Sequence, residues 1–240
     1  MSDRTKFWLV TVITLMAMGV TLSLGRWQLS RAAEKEHLQA STEERGRLAE
    51  LDGASLSANT PVDVLLHRRI SVNGRWLAEK TVFLDNRQMN GKIGFLVVTP
   101  LQVEGSRMAV MVQRGWVPRN FVDRAQIPKI DTSGGTVQVT GLLVPPPVKL
   151  YELGSPAAGP IRQNLDLGQF SAETGVPLAP VSIQQTGAAA DGLLRDWPQP
   201  SAGSDKNYGY AFQWFGLSAL MAILYVWFQI VRRFITRRGA

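Results

Sequence analysis

The sequence contains no cysteine and only two histidines, His37 and His67. Without cysteine there is no disulfide framework and no thiolate site for copper or zinc, and two histidines cannot fill a structural zinc shell. His37 lies in "EKEHLQ" and His67 precedes two arginines at the start of a β-like run, so both read as surface residues. Also missing are a G-x-S-x-G elbow, a P-loop and a G-x-G-x-x-G turn. No nucleophile stands beside a base in the sequence, which argues against an extracytoplasmic hydrolase and against catalysis in general. The chain reads as a non-enzyme.

Charge is lacking in two long stretches. Phe7 to Leu24 runs 18 residues without a charge or a proline, and Tyr208 to Val231 runs 24 residues without a charge. At ~1.5 Å per residue such helices reach about 27 and 36 Å, against a hydrocarbon core of roughly 30 Å. The second is long enough to span a bilayer outright. For the first, a signal peptide is the competing reading, with Arg4 and Lys6 as its basic start and Ser23-Leu24-Gly25 as a cleavage site. Its apolar stretch outlasts the ~7–15 residues of a signal core and continues into helix-favouring sequence, which argues for an uncleaved anchor.

The net charge of +7 sits at the chain ends: +1 in the first six residues, +4 in "RRFITRRGA" after Val231, and +2 across everything between. A nucleic-acid partner would need a basic face on the folded domain, and the middle of the chain does not supply one. A lipid bilayer is the partner this distribution fits. The four arginines after the second span put that end in the cytoplasm, and two spans return both termini to the same side. The expected arrangement is a cytoplasmic N-tail (1–6), a first transmembrane helix (7–25) and a helical stalk (26–52). An extracytoplasmic β-rich domain (53–206), a second transmembrane helix (207–231) and a cytoplasmic Arg-rich tail (232–240) complete it. In a bacterial cell this is an inner-membrane protein with its central domain in the periplasm.

Between the spans, Arg26–Leu51 is rich in good helix formers, and Glu43 with Arg47 forms an i,i+4 pair in the favourable order. Trp27, Arg31 and Lys35 fall four apart and share a helix face, with Trp27 at the membrane interface. They read either as a membrane helix running on into a stalk or as a contact surface for a membrane partner. From Arg68 the pattern becomes β. "RISVNGRW" alternates, with Asn73-Gly74 as a turn signal. "TVFLDNR", "IGFLVVTPL", "MAVMVQRGWVP" and "TVQVTGLLV" follow, separated by Asn90-Gly91 and Glu104-Gly105 turns. The fold class is therefore a membrane protein whose two transmembrane helices flank a mainly antiparallel β domain, a small barrel or sandwich, with a few short helices.

Nine of the 13 prolines lie between Pro145 and Pro200, which limits that portion to connections, edge strands and short helices, one of them over Asp166–Gly175. "TGAAADGLLRDWPQPSAGSDK" reads as a loose tether back to the membrane. Met108 and Met111 fall three apart in a strand and so face opposite sides, which fits core packing rather than a methionine copper site. In "QRGWVPRN", Arg114 and Trp116 fall on one side of a strand, and Arg87 lies in "DNRQMNGKIGF". Arginines beside aromatics can clamp carboxylates and stack on flat rings; the competing reading is a strand end whose Trp fills the core and whose Arg pairs locally.

These residues, in this order, resemble the Surfeit-locus-1 family of cytochrome oxidase assembly factors in its bacterial form. "LGRWQLSRAAEK" looks like the family's opening, at Gly25, Trp27, Gln28, Arg31 and Lys35. "VNGRW" resembles its strand signature at Val72, Gly74 and Trp76, and Arg87, Gly94, Pro100 and Leu101 fit the next block. "VQRGWVP" is similar to its most distinctive string, and "YAFQWFGLSAL" fits at Tyr210, Ala211, Trp214 and Phe215. The resemblance implies a membrane-anchored, non-catalytic helper that receives haem a from haem a synthase and assists its insertion into oxidase subunit I. It implies transient haem a as the cofactor, near Tyr208, Tyr210 and Trp214, no resident metal, and partner contacts at Trp27, Gln28, Arg31, Arg87, Arg114 and Trp116. One departure stands out. Many bacterial members carry a histidine, regarded as a haem ligand, three residues ahead of the tyrosine that matches Tyr210, and here that position is Asn207. An axial ligand would then come from Tyr208 or Tyr210, or from a partner, or this member is a scaffold only. The reading from another class is a membrane-tethered β-domain scaffold of envelope assembly with no haem role.

Overall fold

The structure is a computed structural model, and it describes residues 2–56, 60–123, 126–151, 159–188, 191–198, 203–232 and 234–235. It falls into two units, Met1–Ser41 with Gln199–Ala240, and Thr42–Pro198.

The first unit is a helix pair. Helix α1 runs unbroken from Asp3 to Gly46, so the expected span and stalk are one helix, and only its last turn belongs to the second unit. No proline interrupts this run, and a glycine ends it. Its partner α4 covers Ser204–Tyr225 and continues as a π-helical segment over Val226–Val231. Both are long and apolar enough to cross a membrane. Inside the apolar zone the hydroxyls of Thr11 and Tyr225 lie 2.8 Å apart, a hydrogen bond of the kind that joins helices where lipid offers no alternative partner. Arg233 and residues 236–240 of the basic tail lie outside the described residues.

The second unit holds seven strands: β1 (Arg69–Trp76), β2 (Val82–Met89), β3 (Lys92–Val103), β4 (Ala109–Pro118), β5 (Thr136–Val144), β6 (Ile161–Arg162) and β7 (Leu178–Gln185). Two short helices, α2 (Val62–Leu65) and α3 (Leu167–Thr174), accompany them. Strands β1-β5-β7-β4-β3 pair in that order, and β1 pairs again with β3, which closes a five-stranded barrel. Closure leaves these strands no long free edge. The 12-residue β3 makes it possible: Leu101–Val103 pair with β1, whereas Lys92–Val98 pair with β2, which carries β6 beyond the barrel.

Alternation along the strands fills the barrel with Ile70, Val72, Leu101, Val110, Val112, Leu143, Val181 and Ile183. On another face Leu84, Leu96, Val98 and Met111 pack under Phe170 of α3. Met111 is fully buried in the second of these clusters, and Met108, partly buried just ahead of β4, packs against the first. Helix α3 forms where its caps predict. The Asp166 carboxylate accepts from the Gln169 amide, and Gly175 ends the helix with φ 69°.

Lys149 donates to Asp166 at 2.7 Å, and this bond first, with the backbone amides, holds the carboxyl below its ordinary value of 3.8. A depressed carboxylate pKa contributes stability above the unfolded value, and that stability is lost as pH falls through the folded value. Asp166→Ala should therefore lower the melting temperature at neutral pH, with the gap to the parent narrowing as pH drops below 3.8. A melting series from pH 7 to about 3 reads this directly.

Several expectations change. Asn73-Gly74 is not a turn: β1 runs straight through it, and Gly74 is needed because a Cβ there would press on the Gln102 backbone and lie 2.9 Å from Leu101 Cγ. The turn chemistry is used instead at Asn90-Gly91 and Gly105, all with positive φ. The sheet is mainly antiparallel, but β4–β7 and β2–β6 are parallel, each reached through a long connection rather than a hairpin. The segment expected to be a loose tether is pinned across residues 191–198. Leu194 exchanges backbone hydrogen bonds with Trp116, Leu193 is fully buried, and the Trp197 indole donates to the Gln185 carbonyl at 2.8 Å.

Candidate functional site

The helix pair builds a polar knot at the start of α4. Gly25 is buried against Phe215, and a Cβ added there would stand 2.7 Å from the ring, so only glycine lets the helices approach this closely. One turn further on, Asn207 is bonded at both ends of its carboxamide. Its Nδ2 donates to Gln28 Oε1 at 2.6 Å, and its Oδ1 accepts from Lys35 Nζ at 2.8 Å. Lys35 also reaches the Gly203 carbonyl at 3.5 Å, and the Tyr208 hydroxyl donates to Glu36 at 3.1 Å. Two side chains of α4's first turn, Asn207 and Tyr208, and the Gly203 carbonyl just before it therefore cross-link to one stretch of α1.

The remaining head residues are exposed or half-buried around this knot. Trp27 and Tyr210 are more than half exposed, Trp214 is half-buried, and Arg31 pairs with Glu34 of its own helix at the surface. A haem iron would need a free donor here. Both ends of the Asn207 carboxamide are engaged by α1 and the Tyr208 hydroxyl donates to the Glu36 carboxylate, so iron at either position would have to displace or distort these bonds. Gly25→Leu should separate the two helices at this level. Its expected signature is faster trypsin cleavage after Lys35 and Lys206, read by limited proteolysis in detergent.

The arginines of the barrel unit do different work. Arg87 donates to the carbonyls of Val148 and Gln163 at 2.8 and 2.9 Å, and its own carbonyl accepts from the Trp116 indole at 2.9 Å. Burial pushes the Arg87 pKa down. Trp116 itself is buried, its ring over Gly94. These two residues tie the connections around β6 to the barrel wall.

Arg114 goes elsewhere. The register of β3 with β4 shifts here, with Gln113 opposite Val98 and Gly115 opposite Val97, so Arg114 is the extra residue of a bulge. Simple alternation puts it beside Trp116, and the bulge re-aims it. Its guanidinium lies 4.7 Å from the Trp76 ring centre and donates to Thr132 Oγ1 at 2.7 Å, to the Asp131 carbonyl at 2.8 Å and to Asp191 at 3.2 Å. Arg195 approaches the same carboxylate, with Nη2 at 3.0 and 2.8 Å from its two oxygens, and its Nε donates to the Arg114 carbonyl at 2.6 Å. Burial lowers the Arg114 pKa against the opposing pull of Asp191. Sequence reasoning missed Trp76, Asp191 and Arg195 as members of this cluster. Its available signal was the i,i+4 acid–base pair in "DGLLR".

The SURF1 family model matches residues 15–219, which takes in most of both apolar helices and the whole barrel. The chain belongs to the SURF1 family. The SURF1-like protein of Rickettsia bellii is 25% identical over 235 residues, covering 94% of this chain and 91% of that one. The SURF1-like protein of Drosophila melanogaster is 26% identical over 251 residues, with 96% and 81% covered. A shorter match, 28% over 120 residues, joins 45% of this chain to 33% of Surfeit locus protein 1 of Arabidopsis thaliana. Within this SURF1-family chain, the clamped, part-buried Asn207 and the buried arginine cluster are two places where polar side chains converge.

Proposed function

We propose that this chain is a membrane-anchored assembly factor for a haem-copper oxidase of the cytochrome c type. It acts by protein contact in the inner membrane and turns over no substrate. Both termini lie in the cytoplasm, and the barrel lies on the other side, following the four arginines that end the chain. The observation that carries the reading is the family match over residues 15–219, which spans helices and barrel together. Its partners are oxidase subunit I and haem a synthase, both met at the level of the bilayer by the exposed Trp27, Tyr210 and the face around Trp214. Haem a insertion into subunit I is the step it assists. With Asn207 and Tyr208 bonded across to α1, it does so as a scaffold, and the iron ligands come from its partners.

Two experiments test this. Isolation of the tagged chain in mild detergent should bring down subunit I or haem a synthase; recovery of unrelated envelope complexes alone would favour a general scaffold of envelope assembly. Asn207→His should leave haem retention by the purified chain unchanged, because the new imidazole enters a position already bonded to Gln28 and Lys35. A new Soret band in that variant would contradict the scaffold reading.

A further inference from the structure

The chain holds two Asn-Gly pairs, Asn73-Gly74 and Asn90-Gly91, and the fold treats them oppositely. An asparagine followed by glycine is open to attack on its carboxamide by the next backbone nitrogen, because glycine puts no side chain in the way and turns freely. The attack requires the backbone between the two residues to rotate until that nitrogen reaches the asparagine Cγ. Strand pairing forbids the rotation at Gly74, which is buried in β1 between Val137 of β5 and Val103 of β3. The Asn73 carbonyl is held as well, by the Glu104 amide at 2.9 Å.

Asn90-Gly91 connects β2 to β3. The ladder closes at Met89 opposite Lys92, so both residues lie outside it. Both are exposed, and a Cβ built on Gly91 would meet nothing within 4 Å. The Asn90 side chain makes one long-range bond: its Nδ2 donates at 2.8 Å to Oδ2 of Asp196, 106 residues further along the chain. Asp196 belongs to the pinned segment, two residues after Leu194, whose amide donates to the Trp116 carbonyl at 2.8 Å.

We propose that Asn90 is a site of spontaneous deamidation, and that the conversion loosens the attachment of residues 191–198 to the β2–β3 turn. The Gly91 backbone nitrogen attacks Asn90 Cγ. A C–N bond forms and closes a succinimide ring, the Cγ–Nδ2 bond breaks, and Nδ2 leaves as ammonia carrying the Gly91 amide proton. Water then opens the ring at either carbonyl, giving aspartate or isoaspartate. The product takes away the donor that Asp196 accepts from and sets a second carboxylate against it, a repulsive pair. Isoaspartate also adds a methylene to the main chain of a tight turn whose φ values are 51° and 74°.

The test is to hold the full chain in detergent in mildly alkaline buffer, then digest with trypsin beside an unaged sample and weigh the peptides. Trypsin places the two pairs in separate peptides, Ile70–Arg75 and Gln88–Lys92. The acid form of Gln88–Lys92 should accumulate at least about tenfold faster than that of Ile70–Arg75, because β1 must open before Asn73 can react. In denaturant the two rates should converge, and Gly91→Ala should slow the reaction in the folded chain. Asn90→Asp, at an exposed position, should speed hydrogen exchange of the Leu194 amide by about two- to fivefold, as fits the loss of an exposed contact. Asn90→Asp with Asp196→Asn exchanges donor and acceptor and should restore the parent rate. No conversion in the folded chain, equal conversion of both peptides, or parent-like Leu194 exchange in Asn90→Asp would each overturn the proposal.

Discussion

Gly94→Val should cost the barrel about 3–5 kcal/mol, a large part of the ~5–15 kcal/mol that holds a domain together. Gly94 pairs with Arg87 on one side and Pro118 on the other, in the middle of a three-strand stretch. A Cβ there would overlap the Val117 carbonyl and stand 2.5 Å from the Trp116 ring. Neither neighbour gives way easily. The carbonyl is backbone, the indole is held by its bond to the Arg87 carbonyl, and the Trp116 main chain is fixed by its bridge to Leu194. At roughly 2–4 °C per kcal/mol for a unit of this size, the melting temperature should fall by about 6–20 °C. Gly91→Ala is the control. Its position, unlike that of Gly94, has positive φ, and nothing lies within 4 Å, so its effect is confined to turn strain. Equal melting of the Gly94→Val and parent proteins would mean that the indole does not occupy this place.

The second large effect is expected at Asp191. Asp191→Ala leaves Arg114 and Arg195 facing each other inside the barrel unit without the carboxylate both of them contact. Removing one member of a buried ionic group costs about 3–5 kcal/mol, because the remaining charge is stranded. The same group replaced as a whole costs much less. Asp191→Ala with Arg195→Met should accordingly recover part of the loss. A double-mutant cycle on urea unfolding midpoints checks this, with a coupling of at least ~1 kcal/mol expected. Additive losses would show that Arg195 does not depend on the Asp191 carboxylate.

How much of this was legible in the sequence depends on how local its cause is. The spans are visible because a lipid core demands length and lack of charge, both readable from Phe7–Leu24 and Tyr208–Val231. Helix α3 is visible from Asp166 and Gly175, since caps act over three residues. Strand β5 starts and stops at the ends of "TVQVTGLLV", where alternation and flanking residues agree. Asn73-Gly74 misled because the same glycine that permits a turn also permits close packing, and only the distant Gln102 decides which is used.

Long-range causes stayed hidden for the same reason. The Arg114 bulge depends on β3 across the sheet, so the side-by-side placement of Arg114 and Trp116 could not survive it. The pinned segment at residues 191–198 looks polar and loose in isolation, yet Leu193 fills a place that β4 leaves open at Gly115. Asn207 reads alone as an iron ligand lost. Against Gln28 and Lys35, 179 and 172 residues away in the chain, it is a cross-link in use.

The most direct test of the central claim is a deletion strain assayed for oxidase activity and for the haem a absorption band of its membranes. An oxidase assembly factor predicts a clear fall in both, restored by the parent gene. Restoration by Asn207→Asp and Asn207→Gln should track how well each keeps its bonds to Gln28 and Lys35. Normal oxidase activity with a normal haem a band in the deletion strain would contradict the account.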